Sequence, residues 1–308
     1  MKICPITYQP CEGKYSEQGL KKLSQKLTRL NDFPYTAEEQ IRESTIRSGK
    51  MSIQGVQPKL SAILKPKPGR FEIVDTGGRF ILKPCPTAWA EVPENEALTM
   101  TLAARSGLDV PDHGLVASSD GRWTYWIRRF DREGRGGRLP VEDFAQLQGR
   151  TRETKYDSSM ERVIATIEEF CTFPAIEKRK LARRALFCFL TGNEDMHLKN
   201  FSLVTRAEKV ELSPAYDLLN TSVILQDPRE ELAMPIRGKM SNLTRKDLVD
   251  YFCGERCGLP EKEMEKMLEE LEASSAEWPA TIERSYLGAD GKERYQEILR
   301  ERVERLFK

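Results

Sequence analysis

Short apolar runs separated by glycine and proline occupy the chain from residue 51 to about residue 130. Their lengths and their content of β-branched and aromatic residues are typical of strands. The runs cover residues 51–53, 60–64, 71–74, 80–83 and 123–130. Gly55, Gly69 and the pair at 77–78 fall between runs, as turn residues do in antiparallel hairpins. This part of the chain is therefore predicted to form a small antiparallel sheet.

Apolar residues at helical spacing dominate most of the remaining chain. The predicted helices cover residues 17–30, a short stretch after Thr36, and residues 93–106, 175–191, 248–257, 261–271 and 294–307. Thr36 and Glu39 form a capping-box pattern, and Gly107 suits the end of the third helix. The fold class is predicted as α+β and two-lobed. A small antiparallel-sheet N-lobe spans residues 1–138, and a larger, mainly helical C-lobe spans residues 139–308.

Composition narrows the functional classes. The 308 residues include 49 Lys+Arg and 48 Asp+Glu, a net charge of +1, which argues against a global nucleic-acid or membrane-surface binder. The apolar runs are shorter than the ~20 residues of a membrane span, and the first residues lack a secretory signal, so a cytoplasmic protein is expected. Seven scattered cysteines are expected to be reduced thiols, and with two histidines a zinc site is improbable.

The densest group of polar residues is GNEDMHLKNF at 192–201, between a strongly apolar helix and an apolar run. Asp195 and Asn200 have the spacing that phosphotransfer loops use for a catalytic carboxylate and a metal-binding amide. Asp217, in LSPAYDL, lies where kinases place their main Mg²⁺ ligand. Taken alone, each segment also fits an ordinary polar loop in which Asn, Asp and Gly serve turn geometry.

Two N-lobe elements complete a kinase-like order. SIQGVQPKL at 52–60 could cover a nucleotide through Gly55, although a plain hairpin explains it as well. Lys83 ends the run FILK, and a helix with Glu94 and Glu96 follows at the distance expected for a Lys–Glu pair. A covering loop, strand Lys, helix Glu, hinge strand, Asp/Asn loop and metal Asp together favour an ATP-dependent phosphotransferase using Mg²⁺.

The chain also resembles the HipA-type serine/threonine kinases, the toxins of bacterial toxin–antitoxin modules, from about residue 50 onward. The segments that resemble the family are SIQGVQPKLSAIL, FILKP, IRRFDR, GNEDMHLKNFSL and LSPAYDLL. The chain is shorter than HipA and carries CPITYQP near its start, at residues 4–10, as the short HipT kinases of three-component HipBST modules do. Most of the N-terminal HipA subdomain is therefore expected to be missing.

This resemblance implies a role for each matching residue. Asp195 would be the catalytic residue, and Asn200 and Asp217 would hold Mg²⁺. The remaining ATP-binding residues would be Lys83 at the phosphates, Gly55, Val56, Gln57 and Lys59 in the covering loop, Arg128 and Phe130 at the hinge, and His197. Ser52 would be autophosphorylated, and Gln54 replaces a second serine found in short relatives. HipA has a glutamate at the position of Arg128, so backbone contacts are expected there.

The same resemblance implies partners and a substrate. The expected partners are a HipS-like small protein and a HipB-like helix-turn-helix antitoxin, with DNA contacted through the antitoxin. The expected substrate is an aminoacyl-tRNA synthetase, with the tryptophanyl enzyme favoured over the glutamyl enzyme, and its phosphorylation would inhibit translation.

Three other interpretations stay open on the sequence alone. The protein could be a small-molecule kinase of similar layout, or a non-catalytic kinase-like module in an antitoxin complex. A third possibility is direct nucleic-acid contact through a local basic patch. This patch consists of Arg128, Arg129, Arg132, Arg135 and Arg138. Residues 131–138 are otherwise predicted to be a linker or mobile loop between the lobes.

Overall fold

Strands come mainly from the first half of the chain and helices mainly from the second. The structure is a computed structural model that describes residues 1–47, 57–134, 136–225 and 230–308. Its strands are β1 (Lys2–Ile3), β2 (Pro10–Cys11), β3 (Leu60–Lys65), β4 (Arg70–Ile73), β5 (Phe80–Pro84), β6 (His113–Ala117), β7 (Trp123–Arg128), β8 (Arg132–Glu133), β9 (Gly137–Arg138), β10 (Val141–Asp143), β11 (Ser202–Arg206) and β12 (Lys209–Leu212).

The helices bear out most of the predicted ones. They are α1 (Glu17–Leu23), α2 (Ala37–Arg47), α3 (Val92–Arg105), α4 (Phe144–Leu147), α5 (Met160–Phe170), α6 (Pro174–Leu190), α7 (Thr221–Ile224), α8 (Glu261–Ala276), α9 (Trp278–Glu283) and α10 (Ala289–Phe307). A 3₁₀ turn spans Leu198–Asn200, and the helix predicted near residue 250 is a π-helix over Lys246–Arg256. The helix expected over 17–30 ends at Leu23, because Ser24 has an extended backbone.

The predicted antiparallel sheet is present, in the order β4-β3-β5-β7-β6. Every neighbouring pair is antiparallel, and β5 lies in the centre with Lys83 opposite Tyr125 of β7. Side chains alternate between the two faces of a strand. Leu82 and Trp126 therefore face one side, whereas Lys83 and Tyr125 face the other.

The N-terminal segment covers the first of these faces. Leu20, Leu23 and Phe33 pack with Leu82 and Trp126 in one buried cluster. Helix α2 begins with the predicted capping box: the Glu39 backbone N–H donates to the Thr36 hydroxyl at 3.1 Å, and the Thr36 N–H donates to the Glu39 carboxylate at 2.8 Å. The sheet is therefore buried on its outer side by residues that precede it in the sequence.

Helix α3 covers the opposite face and joins the sheet to the helical part of the chain. Its residues Leu98 and Leu102 are fully buried in a second cluster, which continues into α5, α6 and α10. Pro93 lies in the first turn, and Gly107, at φ +76°, follows the last turn. Lys83 faces this helix. Because a buried ammonium group needs polar partners, we expect those partners to come from α3 and from the C-terminal half of the chain.

Two short paired strands lie within the segment 131–138, which is predicted to be a linker or mobile loop between the lobes. Arg132 and Glu133 of β8 pair with Arg138 and Gly137 of β9, around residue 135, which lies outside the described part. This pairing satisfies backbone polar groups of β8 and β9, which composition alone does not predict. The predicted division between residues 138 and 139 falls between β9 and β10 and stays a prediction.

The C-terminal half combines helices with a small sheet in the order β10-β11-β12. Strands β11 and β12 form a hairpin directly after the 3₁₀ turn, and β12 leads into the segment with Asp217. In the four described stretches of the chain, no helix has both the length and the apolar character that crossing a membrane requires.

Phe71 tests the buried outer face of the sheet. It is 1% exposed and contacts Phe80 edge-to-face at 5.2 Å between ring centroids. We expect Phe71→Ala to lower the free energy of unfolding in urea by about 3–5 kcal/mol, because it opens a cavity beneath the sheet. Phe173→Ala, at a residue that is 51% exposed, is the matched control and should change it by less than about 0.5 kcal/mol. Equal effects would contradict this packing.

Candidate active site

Lys83 binds two carboxylates in the interior. Its side chain is 2% exposed, and its Nζ lies 2.5 Å from Oε1 of Glu96 on α3. The same Nζ donates to Oδ1 of Asp217, and Lys59 lies 3.8 Å from the other Asp217 oxygen. Glu94 of the same helix is not the partner. The strand Lys, the helix Glu and the metal-motif Asp therefore meet at one point.

The opposite charges of Lys83 and Asp217 keep each other ionised. Burial alone would lower the pKa of Lys83, but the charges of Asp217 and Glu96 outweigh it and raise that pKa. Burial alone would raise the pKa of Asp217, but Lys83 and Lys59 hold it well below its usual range. Burial raises the pKa of Glu96 to about 7, against the opposing effect of Lys83. Lys83 is thus a cation and Asp217 an anion at neutral pH.

Hydrogen bonds across the structure fix the position of Asp217. The side chain of Asn95 donates to the carbonyl of Asn220 at 3.0 Å and accepts from the Asn220 N–H at 2.8 Å. The Ala215 N–H donates to the carbonyl of Asp109 at 2.7 Å. Asp217 itself has φ +55°, a left-handed conformation that Asp tolerates better than most residues. Helix α3 and the Asp217 segment are therefore held together next to Lys83.

The loop after α6 is tied at both ends. Gly192, at φ +62°, follows the helix as predicted, and its carbonyl accepts the Thr221 and Ser222 hydroxyls at 3.1 Å each. At the other end the Asn200 amide donates to the carbonyl of Asp195 at 2.8 Å. These bonds hold the carboxylate of Asp195, which is 47% exposed, at the surface of the site.

Three neighbours surround the Asp195 side chain. The hydroxyl of Tyr156 donates to its Oδ1, and Nε2 of His197 lies 3.9 Å from the same oxygen. Lys155 donates to His197 Nε2 at 2.7 Å, so that nitrogen accepts and the ring proton is on Nδ1. Burial and the Lys155 charge lower the pKa of His197, outweighing the effect of Asp195. Asp217 also acts on His197 electrostatically, which links the two halves of the site.

The two predicted hinge residues, Phe130 and Arg128, contact different parts of the structure. Phe130 stacks on Tyr216, one residue before Asp217, with centroids 5.6 Å apart. The Arg128 guanidinium donates to the carbonyls of Lys22 and Leu23 at 2.6 and 2.8 Å, where α1 ends. It also pairs with Asp112 at 3.1 Å. The side chain of Arg128 is thus engaged with the N-terminal segment, away from Lys83.

The covering loop is described only at its end. Ser52, Gln54, Gly55 and Val56 lie outside the described residues, so their predicted roles stay predictions. Gln57 is described, and its Nε2 is buried with no hydrogen-bond partner among the described residues. Lys59 reaches Asp217, as noted above.

Three arginines of the predicted basic patch pair with carboxylates. Arg129 and Arg132 pair with Asp131 at 2.8 and 2.5 Å, and Arg128 pairs with Asp112. Arg135 lies outside the described part. Two guanidinium groups share Asp131, and Arg138 on β9 is exposed, so these carboxylates compensate only part of the positive charge of the patch.

The residues around Lys83 fit a Mg²⁺–nucleotide complex. Within the described stretches, Glu96 Oε2 and His197 Nδ1 are buried without a hydrogen-bond partner. Asn200 uses its amide nitrogen on Asp195, which leaves its oxygen for a cation, and Asp217 supplies a carboxylate. Two such oxygens suit Mg²⁺, whose remaining ligands are usually water and phosphate. Lys83 and Lys59 supply positive charge next to them.

Comparison with known proteins places the chain in a family. A family model described as HipA-like C-terminal domain matches residues 51–278. The chain belongs to the HipA-like family. It is 30% identical over 242 residues to a Haemophilus influenzae protein named "Putative kinase", covering 72% of this chain and 69% of that protein. It is also 30% identical over 207 residues to the serine/threonine-protein kinase toxin HipA of Shewanella oneidensis, covering 61% of this chain and 47% of that protein.

Solved structures agree on the fold. Shewanella oneidensis HipA, in a complex with HipB and operator DNA, matches with a TM-score of 0.66 and 23% identity, over 91% of this chain and 72% of that one. The Helicobacter pylori proinflammatory kinase CtkA matches with a TM-score of 0.55 and 13% identity, over 79% of this chain and 92% of that one. The expected kinase-like α+β fold, with a sheet-based N-lobe and a helical C-lobe, is confirmed.

Lys83→Met tests the buried charge group. Removing the ammonium leaves the buried carboxylate of Glu96 without a cation and leaves Asp217 with only Lys59, at 3.8 Å. We therefore expect the free energy of unfolding at pH 7 to fall by about 3–5 kcal/mol. Lys65→Met is the matched control: Lys65 is a strand lysine 3.8 Å from Glu72 on the surface, and its loss should cost less than about 1 kcal/mol.

The difference should depend on pH. The depressed pKa of Asp217 stabilises the wild-type fold above the ordinary Asp pKa, and this contribution is lost as pH falls through the folded-state pKa. In Lys83→Met the unpaired carboxylates should instead have raised pKa values and bind protons at low pH. The gap between the two proteins in urea unfolding should therefore widen from about pH 4 to pH 7. A gap that is constant with pH would contradict the ion pairing.

Proposed function

We propose that this protein transfers the γ-phosphoryl group of ATP to a serine or threonine of another protein. The observation that supports it most is the meeting of Lys83, Glu96 and Asp217 beside His197 and Asp195, from segments far apart in the sequence. A buried cation between two acids is costly to maintain, and a phosphate-binding role explains why it is there. Relatives named as kinases support the same reading.

Each side chain then has a task. Lys83 and Lys59 offset phosphate charge, while Asn200 and Asp217 hold Mg²⁺, which supplies further neutralisation of the phosphate oxygens when bound. Asp195 orients the acceptor hydroxyl and takes its proton. The reaction relies on positioning and electrostatics, for which a carboxylate on a loop that is hydrogen-bonded at both ends is suited.

The adenine would lie at the hinge. Phe130, stacked on Tyr216, offers an aromatic surface beside the segment that leads to Asp217. Since the Arg128 guanidinium is engaged with α1, we propose that residues 128–130 contact adenine through the backbone. Gly55, Val56, Gln57 and Lys59 would cover the phosphates. The boundary between the lobes would lie near residue 138.

The biological role that we propose is that of a toxin kinase. HipA of Shewanella oneidensis has been solved with HipB and its operator DNA, which supports a HipB-like antitoxin as a partner here. We further propose that the chain acts as HipT does, in the bacterial cytoplasm and with a HipS-like protein. Its substrate would be an aminoacyl-tRNA synthetase, first the tryptophanyl and next the glutamyl enzyme. Ser52 would be the regulatory autophosphorylation site.

Asp195→Asn tests the proposed reaction. Incubation with ATP, Mg²⁺ and purified tryptophanyl-tRNA synthetase, followed by mass spectrometry, should detect phosphate on the synthetase and on Ser52. We expect Asp195→Asn to lower the rate by at least about 10²–10³-fold, because the hydroxyl loses its proton acceptor. Asp250→Asn, at an exposed aspartate on the π-helix, is the control and should keep the wild-type rate. Normal transfer by Asp195→Asn would remove Asp195 from this role.

A further inference from the structure

The side chain of Tyr156 reaches the carboxylate that we assign as the proton acceptor. Its hydroxyl donates to Oδ1 of Asp195. Both side chains are partly open to solvent, with Tyr156 44% exposed and Asp195 47% exposed. The contact therefore lies at the open side of the site, where an acceptor hydroxyl of another protein would have to arrive. Tyr156 was not singled out by its sequence, RETKYDSS.

The loop that carries Tyr156 is built against the loop of Asp195. The carbonyl of Lys155 accepts the N–H of Leu198 at 3.2 Å, and the Lys155 side chain donates to His197 at 2.7 Å. The ring of Tyr156 meets the His197 ring edge-on, with centroids 5.1 Å apart. Three contacts besides the hydroxyl bond thus fix the position of Tyr156 relative to Asp195.

We propose, on the basis of the proposed function, that Tyr156 is an intramolecular phosphoacceptor. A hydroxyl that donates to the catalytic carboxylate stands where kinases place the hydroxyl to be phosphorylated. In the transfer, the Tyr156 oxygen forms a bond to the γ-phosphorus of ATP. The bond from that phosphorus to the β,γ-bridging oxygen breaks, and ADP leaves. The phenolic proton passes to Asp195.

The surroundings suit both the reactant and the product. Burial and the bond to Asp195 raise the pKa of Tyr156, so the phenol keeps its proton at neutral pH and needs a base to react. The product carries about −1.5 to −2 charges at pH 7. Lys155 lies next to it, and Arg152, Lys199 and Lys59 are close enough to affect the pKa of Lys155. Positive charge is thus available to the phosphorylated side chain.

Tyr251 provides a matched control within the same chain. Its hydroxyl also donates to a carboxylate, Glu161, at 3.2 Å, and the residue is partly exposed. Glu161 lies on α5 and takes no part in the group around Lys83. If hydrogen bonding to any carboxylate were enough, Tyr251 would be modified as readily as Tyr156.

The test uses the purified chain with ATP and Mg²⁺, and mass spectrometry to locate phosphate. We expect phosphotyrosine at Tyr156, with a first-order rate constant that stays the same when the protein is diluted about 100-fold, since the reaction is intramolecular. Tyr251 should stay unmodified, and Tyr251→Phe should keep the rate. Tyr156→Phe should lose the phosphotyrosine alone, whereas Asp195→Asn should lose all transfer.

Different failures separate this inference from the proposed function. If the chain phosphorylates Ser52 or an added tryptophanyl-tRNA synthetase while Tyr156 stays unmodified, the inference is overturned and the kinase assignment stands. A rate that rises in proportion to protein concentration, or equal modification of Tyr251, also overturns it. If ATP yields no phosphorylated residue in the chain or in the synthetase, both proposals fail.

Discussion

The ammonium group of Lys83, buried between two carboxylates, is the interaction on which the rest of the structure depends. It joins strand β5, helix α3 and the segment of Asp217, three parts of the chain that share no local sequence context. Replacing a buried charge group by apolar side chains is often neutral or stabilising. Stability alone therefore does not explain the group. The proposed binding of phosphate and a metal ion would explain it, because such a site needs fixed positive and negative charges side by side.

The surrounding packing fixes the positions of these charged side chains. The N-terminal segment and α3 bury the two faces of the sheet, so β5 cannot rotate Lys83 toward water without exposing Leu82 and its neighbours. The reciprocal bonds of Asn95 and Asn220 then tie α3 to the Asp217 segment. The same segment contacts the Asp195 loop, since the Tyr216 hydroxyl donates to the carbonyl of Lys199 at 3.1 Å. The geometry of the proposed active site thus depends on the packed core.

Local signals predicted much of this from sequence. The order of Lys83, the α3 glutamates, Asp195, Asn200 and Asp217 along the chain predicted one shared site. The structure brings Lys83, Glu96 and Asp217 into contact, and it joins Asp195 to Asn200 in the loop after α6. The choice between Glu94 and Glu96 was not predictable. Two helical positions differ by about 200° around the axis, and only the packing of α3 decides which one faces β5. Tyr156 had no signal, because its partner lies 39 residues away.

Tertiary contacts also explain the incorrect predictions. The leucines among residues 24–30 have helical spacing, yet they lie outside a helix. They are buried because they pack in the cluster on the outer face of the sheet. Strand β6 (HGLVA) was missed, since five consecutive buried residues show no alternation of apolar and polar positions. In each case the sequence specifies a local preference, and a distant segment decides the outcome.

Titration calorimetry with ATP tests the central claim most directly. If Lys83, Asn200 and Asp217 form one site for a metal-bound nucleotide, the wild-type protein should bind ATP in Mg²⁺ more tightly than in EDTA. Asp217→Asn should abolish that difference, while the exposed-site variant Asp250→Asn should retain it. Wild-type protein that binds no ATP, or Asp217→Asn protein with an unchanged Mg²⁺ dependence, would contradict the account.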